Sequence, residues 1–311
     1  MFTPHHFGLF FTPAHVQEAQ RHARREPFAS AFTLLREQAP SGDAAAAQWA
    51  GLRCRFLDDA DQGALALAAL DHALSRSYDD TMPYLDAVKE TIVYAHTFEM
   101  VRDHTAGHDV FNVRWRDWFF ERVATLNEHL SDKHYHEHLW LALLNLCAGI
   151  VLEREPVFMR GVEVFKQVVA GDISPRGHID PVVKEPGIGT IMERSVQAVT
   201  ALTLMAEAAA HVGVDLWAYQ VRGVSVTTAA IYPMYYFYVT DKWQWEKTTP
   251  DEVQAVYRAH GGYLEILHHR LRHKDFKPLL ADLRPLYDPY AGGLTTLTHG
   301  VVVKRGLFGI A

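Results

Sequence analysis

Apolar residues recur every three or four positions along almost the whole chain, which is the spacing of helices that bury one face. This pattern predicts about a dozen helices joined by short connections. The predicted helices are Ala14–Ala39 with an interruption near Pro27, Ala44–Leu57, Ala60–Leu74, Met82–Val101, Val113–Leu130, His134–Glu153, Val157–Val169, Thr190–Val212, Asp215–Tyr238, Pro250–His260, Leu264–His273 and Pro278–Leu286. No segment alternates with a period of two between Gly or Asn turns, so we expect an all-α protein without a sheet.

Short connections between successive helices indicate stacked helical hairpins. No fixed-period repeat is visible, which argues against a regular solenoid. The chain also lacks a Ser/Pro-rich linker and a trailing all-β region. The sequence therefore predicts one domain covering residues 1–311.

Composition narrows the choice of partner. Hydrophobic residues make up 49% of the chain and charged residues 22%, as in an ordinary globular protein. The formal charge of −7 argues against a nucleic-acid partner, and no apolar run reaches membrane-spanning length. Any anionic substrate must therefore be bound by local Arg, Lys and His side chains.

Since no leader is visible ahead of the first helix, we expect a cytoplasmic protein, or a periplasmic or secreted one if a leader was removed. The oligomeric state stays open.

Two segments resemble a known group of enzymes. Arg176–Tyr219 reads as a Gly/Pro loop, a long Ala/Leu-rich helix and the ending Gly-Val-Asp-Leu-Trp, and Phe7–Ala39 reads as an F-T entry followed by a first helix. Both are similar to the alginate-lyase-like and heparinase-type polysaccharide lyases. The resemblance implies an (α/α) toroid, an incomplete barrel of helical hairpins with one helix layer inside another. The almost wholly apolar run Thr200–Ala210 suits the inner layer.

The resemblance also implies a polysaccharide lyase that cleaves a uronate-containing glycan by β-elimination. Such an enzyme must neutralise the C5 carboxylate, remove the C5 proton and protonate the O4 leaving group. No metal or other cofactor is required. Two alternatives stay open: a glycoside hydrolase on the same toroid, and a non-catalytic carbohydrate-binding relative. The carboxylates that a hydrolase could use near the loop are Asp180, Glu185, Glu193 and Asp215.

The first candidate site is the segment Ser131–Trp140, SDKHYHEHLW. Related lyases begin this helix with Asn-Asn-His, and the match places His136 at the histidine. His134 and Tyr135 then replace the asparagine pair, so the usual carboxylate-neutralising amides are absent. We expect catalytic roles for His136 and Tyr135, and substrate contacts from His134 and His138. His134 and His138 are also spaced for a metal, and a solvated helix start is the structural alternative.

The second candidate site is the head of the helix Thr190–Val212. The match places Arg194 where related lyases carry their catalytic tyrosine. With Gln197 three residues later, Arg194 forms a polar stripe that could bind a carboxylate. We therefore expect Arg194 to be catalytic and Gln197 to bind substrate. The alternative is a structural arginine with a partner in the fold.

A third group of residues follows the second. Tyr232 and Tyr236 lie four residues apart, and Tyr232 is the candidate for the missing catalytic tyrosine. The other expected substrate contacts in this half of the chain are Arg222, Tyr236, Trp243 in the segment Lys242–Lys247, and His299 near the end of the chain. The structural alternative is an aromatic stripe that belongs to the core.

Overall fold

The structure is a computed structural model that describes residues 2–76, 81–105 and 109–302. Its α-helices, in chain order, are α1 (Pro13–Arg21), α2 (Phe28–Glu37), α3 (Asp43–Leu57), α4 (Ala60–Ala73), α5 (Tyr84–Val101), α6 (Asp109–Glu128), α7 (Tyr135–Val151), α8 (Glu155–Gln167), α9 (Asp180–Lys184), α10 (Ile191–His211), α11 (Val226–Tyr235), α12 (Pro250–His260), α13 (Tyr263–Leu271), α14 (Phe276–Leu283) and α15 (Thr295–His299). A hairpin of β1 (Gln220–Val221) and β2 (Val224–Ser225) interrupts the series. None of the helices in the described ranges has the length and apolarity needed to cross a bilayer.

Three helices, α5, α7 and α10, form the buried layer. The buried positions number 15 of 18 in α5, 15 of 17 in α7 and 17 of 21 in α10. Helices that are buried on nearly every face must be enclosed by other helices. Amphipathic partners, among them α8 and α12, pack outside them. The architecture is the predicted all-α (α/α) toroid, an incomplete barrel of helical hairpins.

The three inner helices run in the same direction. His6 and Leu9, in the segment before α1, contact the C-terminal parts of two of them: His6 Nδ1 lies 2.9 Å from Glu99 of α5, and the Leu9 carbonyl lies 3.2 Å from Nδ1 of His211 at the end of α10. Arg102, which follows α5, donates to the Val151 carbonyl that ends α7. Consequently the N-terminal ends of α5, α7 and α10 all meet at the opposite end of the toroid.

Helices α7 and α8 approach each other unusually closely, and two glycines make this possible. A Cβ atom on Gly149 of α7 would lie 2.3 Å from the backbone nitrogen of Phe158 in α8. A Cβ atom on Gly161 of α8 would lie 2.6 Å from the Ala142 carbonyl oxygen in α7. Any larger side chain at either position would force the two helices apart.

The predicted helix Asp215–Tyr238 is wrong in its first half. Residues 215–225 form a loop and the hairpin, and only Val226–Tyr235 is helical. Arg222 and Gly223, between β1 and β2, have φ values of 56° and 76°, which is the backbone of a two-residue hairpin turn. The expectation of no strand therefore also fails at this one hairpin, which is too short for periodicity to reveal.

Candidate active site

A cleft of about 520 Å³ opens at the N-terminal ends of the three inner helices. Each inner helix contributes polar side chains from its first turns or from its N-cap: Lys89 from α5, His134 and His136 from α7, and Glu193 and Gln197 from α10. The other lining residues are Pro83, Tyr84, Leu85, Asp86, Asp132, Lys133, Glu137, Ile188, His260 and Tyr290. Of the eleven predicted site residues, the structure brings His134, His136 and Gln197 together here.

The start of α7 presents two histidines to the cleft. His134 is the N-cap, and its backbone N–H donates to the Glu137 carboxylate over 2.7 Å. The rings of His134 and His136 are nearly parallel, with centroids 6.2 Å apart. Burial, followed by the positive charges of Arg194 and Lys89, lowers the pKa of His136 to about 4. His136 is therefore a neutral proton acceptor at physiological pH.

Lys89, in the second turn of α5, is the buried cation of the cleft. Lys89 is 3% exposed, and its ammonium lies 4.8 Å from the ring centroid of Trp140 and 5.1 Å from that of Tyr290. Burial lowers the pKa of Lys89, while the carboxylates of Asp288 and Asp86 work in the opposite direction. A partly desolvated ammonium in such a cleft interacts more strongly with an anionic ligand than a lysine in water does.

The start of α10 and the end of α12 form a polar chain across the cleft. Gln197 Nε2 donates to Glu193 Oε1 over 3.0 Å, and His260 Nε2 lies 3.6 Å from the same oxygen. The remaining amide oxygen of Gln197 is buried without a hydrogen-bond partner in the described part of the chain. Burial lowers the pKa of His260, against the opposing charge of Asp288. An unpaired oxygen and a carboxylate at this wall suit the hydroxyl groups of a sugar.

Arg194 does not line the cleft, so its predicted role in binding a substrate carboxylate is not supported. Its guanidinium donates to the carbonyls of Gly187 and Gly189 over 3.0 and 3.1 Å, and to those of Val182 and Glu185 over longer distances. A buried arginine needs partners, and here backbone carbonyls supply them. Arg194 thus holds the loop 185–190, whose exposed Ile188 forms part of the cleft rim.

Two further residues of the α7 start point away from the cleft. The Tyr135 hydroxyl donates to Asp172 Oδ2 over 2.6 Å, and burial together with this hydrogen bond raises its pKa. His138 Nε2 lies 3.0 Å from the Lys133 carbonyl oxygen, where it donates. The predicted catalytic role of Tyr135, the substrate contact of His138 and the metal pairing of His134 with His138 therefore lack the geometry that they require.

Tyr232, Tyr236 and Trp243 form a separate aromatic cluster. Tyr236 packs against Trp243 with ring centroids 4.9 Å apart, and the Trp245 indole donates to the Tyr232 hydroxyl over 2.8 Å. Trp243 is 6% exposed, so the expectation of an open sugar platform is wrong for this residue. The two tyrosines line a different depression of about 380 Å³, and none of its lining residues reaches the cleft.

The last two predicted contact residues lie elsewhere. Arg222 is exposed at the tip of the β-hairpin. His299 is 1% exposed and sits beside His15 near the C-terminal end of α10, far from the cleft along that helix. Neither residue is placed to contact a ligand in the cleft.

Only one of the four carboxylates considered for hydrolysis reaches the cleft. Glu193 lines it, whereas Asp180 pairs with His178 and Lys184. Asp215 accepts from the Ala218 backbone and lies 3.8 Å from Arg270. A carboxylate pair on either side of a glycosidic bond, which hydrolysis requires, is not formed by this set.

Lys89, His260 and Tyr290 line the cleft but were not predicted from the sequence. For Lys89 no local signal stands out, because α5 also carries Asp86, Glu90, His96 and Glu99. His260 and Tyr290 lie near the chain's C-terminal third and carry no local pattern. Only their packing against α10 and α5 brings them to the cleft.

No family model and no curated protein sequence matches the chain. Solved structures do match. The chain has the fold of the alginate lyases. A tyrosine-to-phenylalanine variant of alginate lyase A1-III complexed with tetrasaccharide matches with a TM-score of 0.70 and 16% identity, over 98% of this chain and 86% of that one.

Two further solved structures with the alginate-lyase fold also match this chain. Alginate lyase A1-III from Sphingomonas species A1 matches with a TM-score of 0.66 and 17% identity, over 88% of this chain and 78% of that one. An alginate lyase from Bacteroides ovatus matches with a TM-score of 0.67 and 12% identity, over 94% and 98% of the two chains. At these identities the likeness shows a common fold.

Proposed function

We propose that this protein is a polysaccharide lyase that cleaves a uronate-containing, anionic glycan by β-elimination. The observation that carries the proposal is a neutral, buried imidazole, His136, in a cleft where three helix N-termini and Lys89 meet. The alginate-lyase fold supports the same reaction class, and two of its structures are complexes with tetrasaccharide.

Neutralisation of the C5 carboxylate is the first requirement. Helix N-termini carry a partial positive charge and unpaired N–H groups, and both favour anions. In α10, the Glu246 carboxylate already accepts from the Ile191 and Met192 N–H groups over 2.8 and 2.7 Å. We assign the substrate carboxylate to the starts of α5 and α7, beside Lys89, whose ammonium takes the place of the absent asparagine pair.

Proton transfer follows from the same geometry. In the proposed step His136 accepts the C5 proton, the C4–C5 double bond forms and the C4–O4 bond breaks. The leaving O4 takes a proton from Tyr290, whose phenol stays protonated because burial, together with Asp86, raises its pKa. The lowered pKa leaves His136 unprotonated and able to accept a proton, and the raised pKa leaves Tyr290 protonated and able to donate one.

The test is absorbance at the unsaturated-uronate band during incubation with alginate, glucuronan, hyaluronan, heparan and pectin, with reducing ends assayed in parallel. Rising absorbance with one polymer is expected, and it names the substrate. New reducing ends without absorbance would replace the lyase by a hydrolase. Saccharide binding with neither signal would make the protein a non-catalytic carbohydrate-binding relative.

A further inference from the structure

A second polar cluster lies at the other end of α10, and the proposed lyase reaction does not use it. Four histidines from four helices surround one buried carboxylate, that of Glu207, in the last turns of α10. They are His15 of α1, His211 of α10, His269 of α13 and His299 of α15. Fourteen residues separate Glu207 from Glu193, so this cluster lies about 21 Å from the cleft along the helix.

The ligand atoms of the cluster already converge. One atom each from His15, Glu207 and His299 lie within 4.8 Å of one another. Metal–ligand bonds of about 2.0–2.2 Å place neighbouring ligand atoms about 3.3 Å apart in a tetrahedral site. His299 Nε2 is 3.5 Å and His211 Nε2 is 3.0 Å from Glu207 Oε1. A separation of 4.8 Å would therefore have to shorten by about 1.5 Å to reach the spacing of a tetrahedral site.

His299 is the observation that points to a ligand. His299 is 1% exposed, and its Nε2 faces Glu207 without a hydrogen bond in the described part of the chain. Its Nδ1 lies 2.8 Å from the Thr298 hydroxyl oxygen. A metal-binding histidine usually orients its ring by donating from the nitrogen that does not bind the metal. The polar neighbour described on the Nε2 side of His299 is Glu207 Oε1 at 3.5 Å, a long contact for a buried nitrogen, and a cation bound between the two atoms would replace it by a close one.

Two other members would change their hydrogen bonds on binding a metal. His211 Nδ1 donates to the Leu9 carbonyl oxygen over 3.2 Å and its Nε2 donates to Glu207 Oε1 over 3.0 Å, so Nε2 would release its proton to the solvent when it binds a metal. His15 Nδ1 accepts from the Thr12 backbone N–H over 3.0 Å and also lies 3.0 Å from the Thr12 hydroxyl oxygen. Binding a metal through Nε2 of His15 would move the proton to Nδ1, which would replace the bond from the Thr12 N–H by a donation to the Thr12 hydroxyl.

Glu207 is also prepared for a cation. The Trp217 indole donates to its Oε2 over 3.2 Å, which leaves Oε1 turned toward the imidazoles. The carboxylate belongs to the C-terminal part of α10, where the helix dipole favours positive charge. Two or three imidazoles with one carboxylate form a donor set typical of zinc.

We propose that His15, Glu207 and His299 bind one Zn²⁺ ion, with His211 as a fourth ligand. The ion joins α1 and α15, which lie near the two ends of the chain, to the inner helix α10. Its role is structural, because the site lies at the closed end of the toroid.

The test is calorimetric titration of Zn²⁺ into the metal-stripped full chain, compared with His299→Ala and with the matched control His138→Ala. We expect one equivalent of Zn²⁺ to bind wild type and control, with at least 10–100-fold weaker binding by His299→Ala. Cobalt(II) should give a visible absorption band in wild type and control alone. Zn²⁺ should also raise the Tm of wild type.

Two outcomes overturn the proposal: less than one equivalent bound by wild type, or equal affinity for wild type and His299→Ala. If His299→Ala does not fold, His15→Gln and Glu207→Gln replace it, because both keep side chains of similar size. Lyase activity is assayed separately. A protein that binds Zn²⁺ without turnover would refute only the proposed function, and one that turns over without binding Zn²⁺ would refute only the metal site.

Discussion

The two ends of the inner helices differ in the charge that they favour. At the N-terminal ends, α5 and α7 begin beside a cleft that is lined by Lys89 and His136. At the C-terminal ends, the Val151 carbonyl of α7 accepts from Arg102, and His211 of α10 faces the Leu9 carbonyl of the segment before α1. One end can thus receive an anion, and the other favours cations.

Buried carboxylates show the same contrast. Glu99 and Glu207 lie near the C-terminal ends of α5 and α10, where the helix dipole opposes negative charge. Glu99 accepts from Arg102 over 2.9 Å and lies 2.9 Å from His6, and Glu207 lies among histidines. Each of these two carboxylates has a basic partner, whereas Lys89 in the cleft lies against the rings of Trp140 and Tyr290.

Substituting one histidine at each end gives the largest expected difference. His136→Gln should lower kcat/KM for elimination by about 10²–10⁴-fold, because it removes the proton acceptor. His211→Gln, at the closed end, should change kcat/KM by less than about threefold, or under 1 kcal/mol. Initial rates by ultraviolet absorbance check both variants, and circular dichroism confirms their folds. Similar losses in both would remove the functional distinction between the two ends.

Arg194→Met tests whether this arginine supports the cleft or reacts in it. Four carbonyl groups lose a charged donor, so we expect the free energy of unfolding to fall by roughly 2–4 kcal/mol. The loop 185–190 should loosen, raising KM more than it lowers kcat. Urea denaturation and steady-state kinetics measure the two effects. Unchanged stability with an abolished kcat would restore Arg194 as a catalytic residue.

The pH dependence sharpens the assignment of His136. With a pKa of about 4, about 90% of this imidazole is neutral at pH 5, against about 3% for an ordinary histidine of pKa 6.5. The acid limb of kcat/KM should therefore fall near pH 4. A limb near pH 6.5 would identify a different base.

A second buried histidine, His96, makes the stability of the fold depend on pH. Burial lowers the pKa of His96 to about 3, so the unfolded chain binds a proton that the folded chain does not. This contribution to stability is fully present above pH 6.5 and is lost as the pH falls toward 3. Denaturation monitored across this range should show the free energy of unfolding falling by up to about 1.4 kcal/mol per pH unit for His96.

The smallest effect is expected in the aromatic cluster. Tyr232→Phe removes the hydroxyl that accepts from Trp245, in a depression separate from the cleft. We expect kcat/KM to change by less than about threefold. A loss comparable to that of His136→Gln would show that Tyr232 supplies the proton that we assign to Tyr290.

The sequence by itself determined the helices, because apolar spacing reports directly which face of a segment must be buried. The polar stripe at the head of an apolar helix pointed to Gln197, and the resemblance to the lyases pointed to the start of α7. It failed for Arg194 and Trp243, whose polar or amphipathic side chains look exposed in one dimension. The partners of Arg194 are backbone carbonyls of a folded loop, and those of Trp243 are the rings of Tyr232 in α11 and of Tyr236 just after it.

Only the tertiary structure decided which distant residues share a site. Lys89, His136 and His260 meet because α5, α7 and α10 begin at one end of the toroid and α12 packs beside them. His15 and His299, 284 positions apart, meet around Glu207 because the two ends of the chain close the opposite end. Local periodicity contains no information about such contacts, since they depend on how whole helices are arranged around one another.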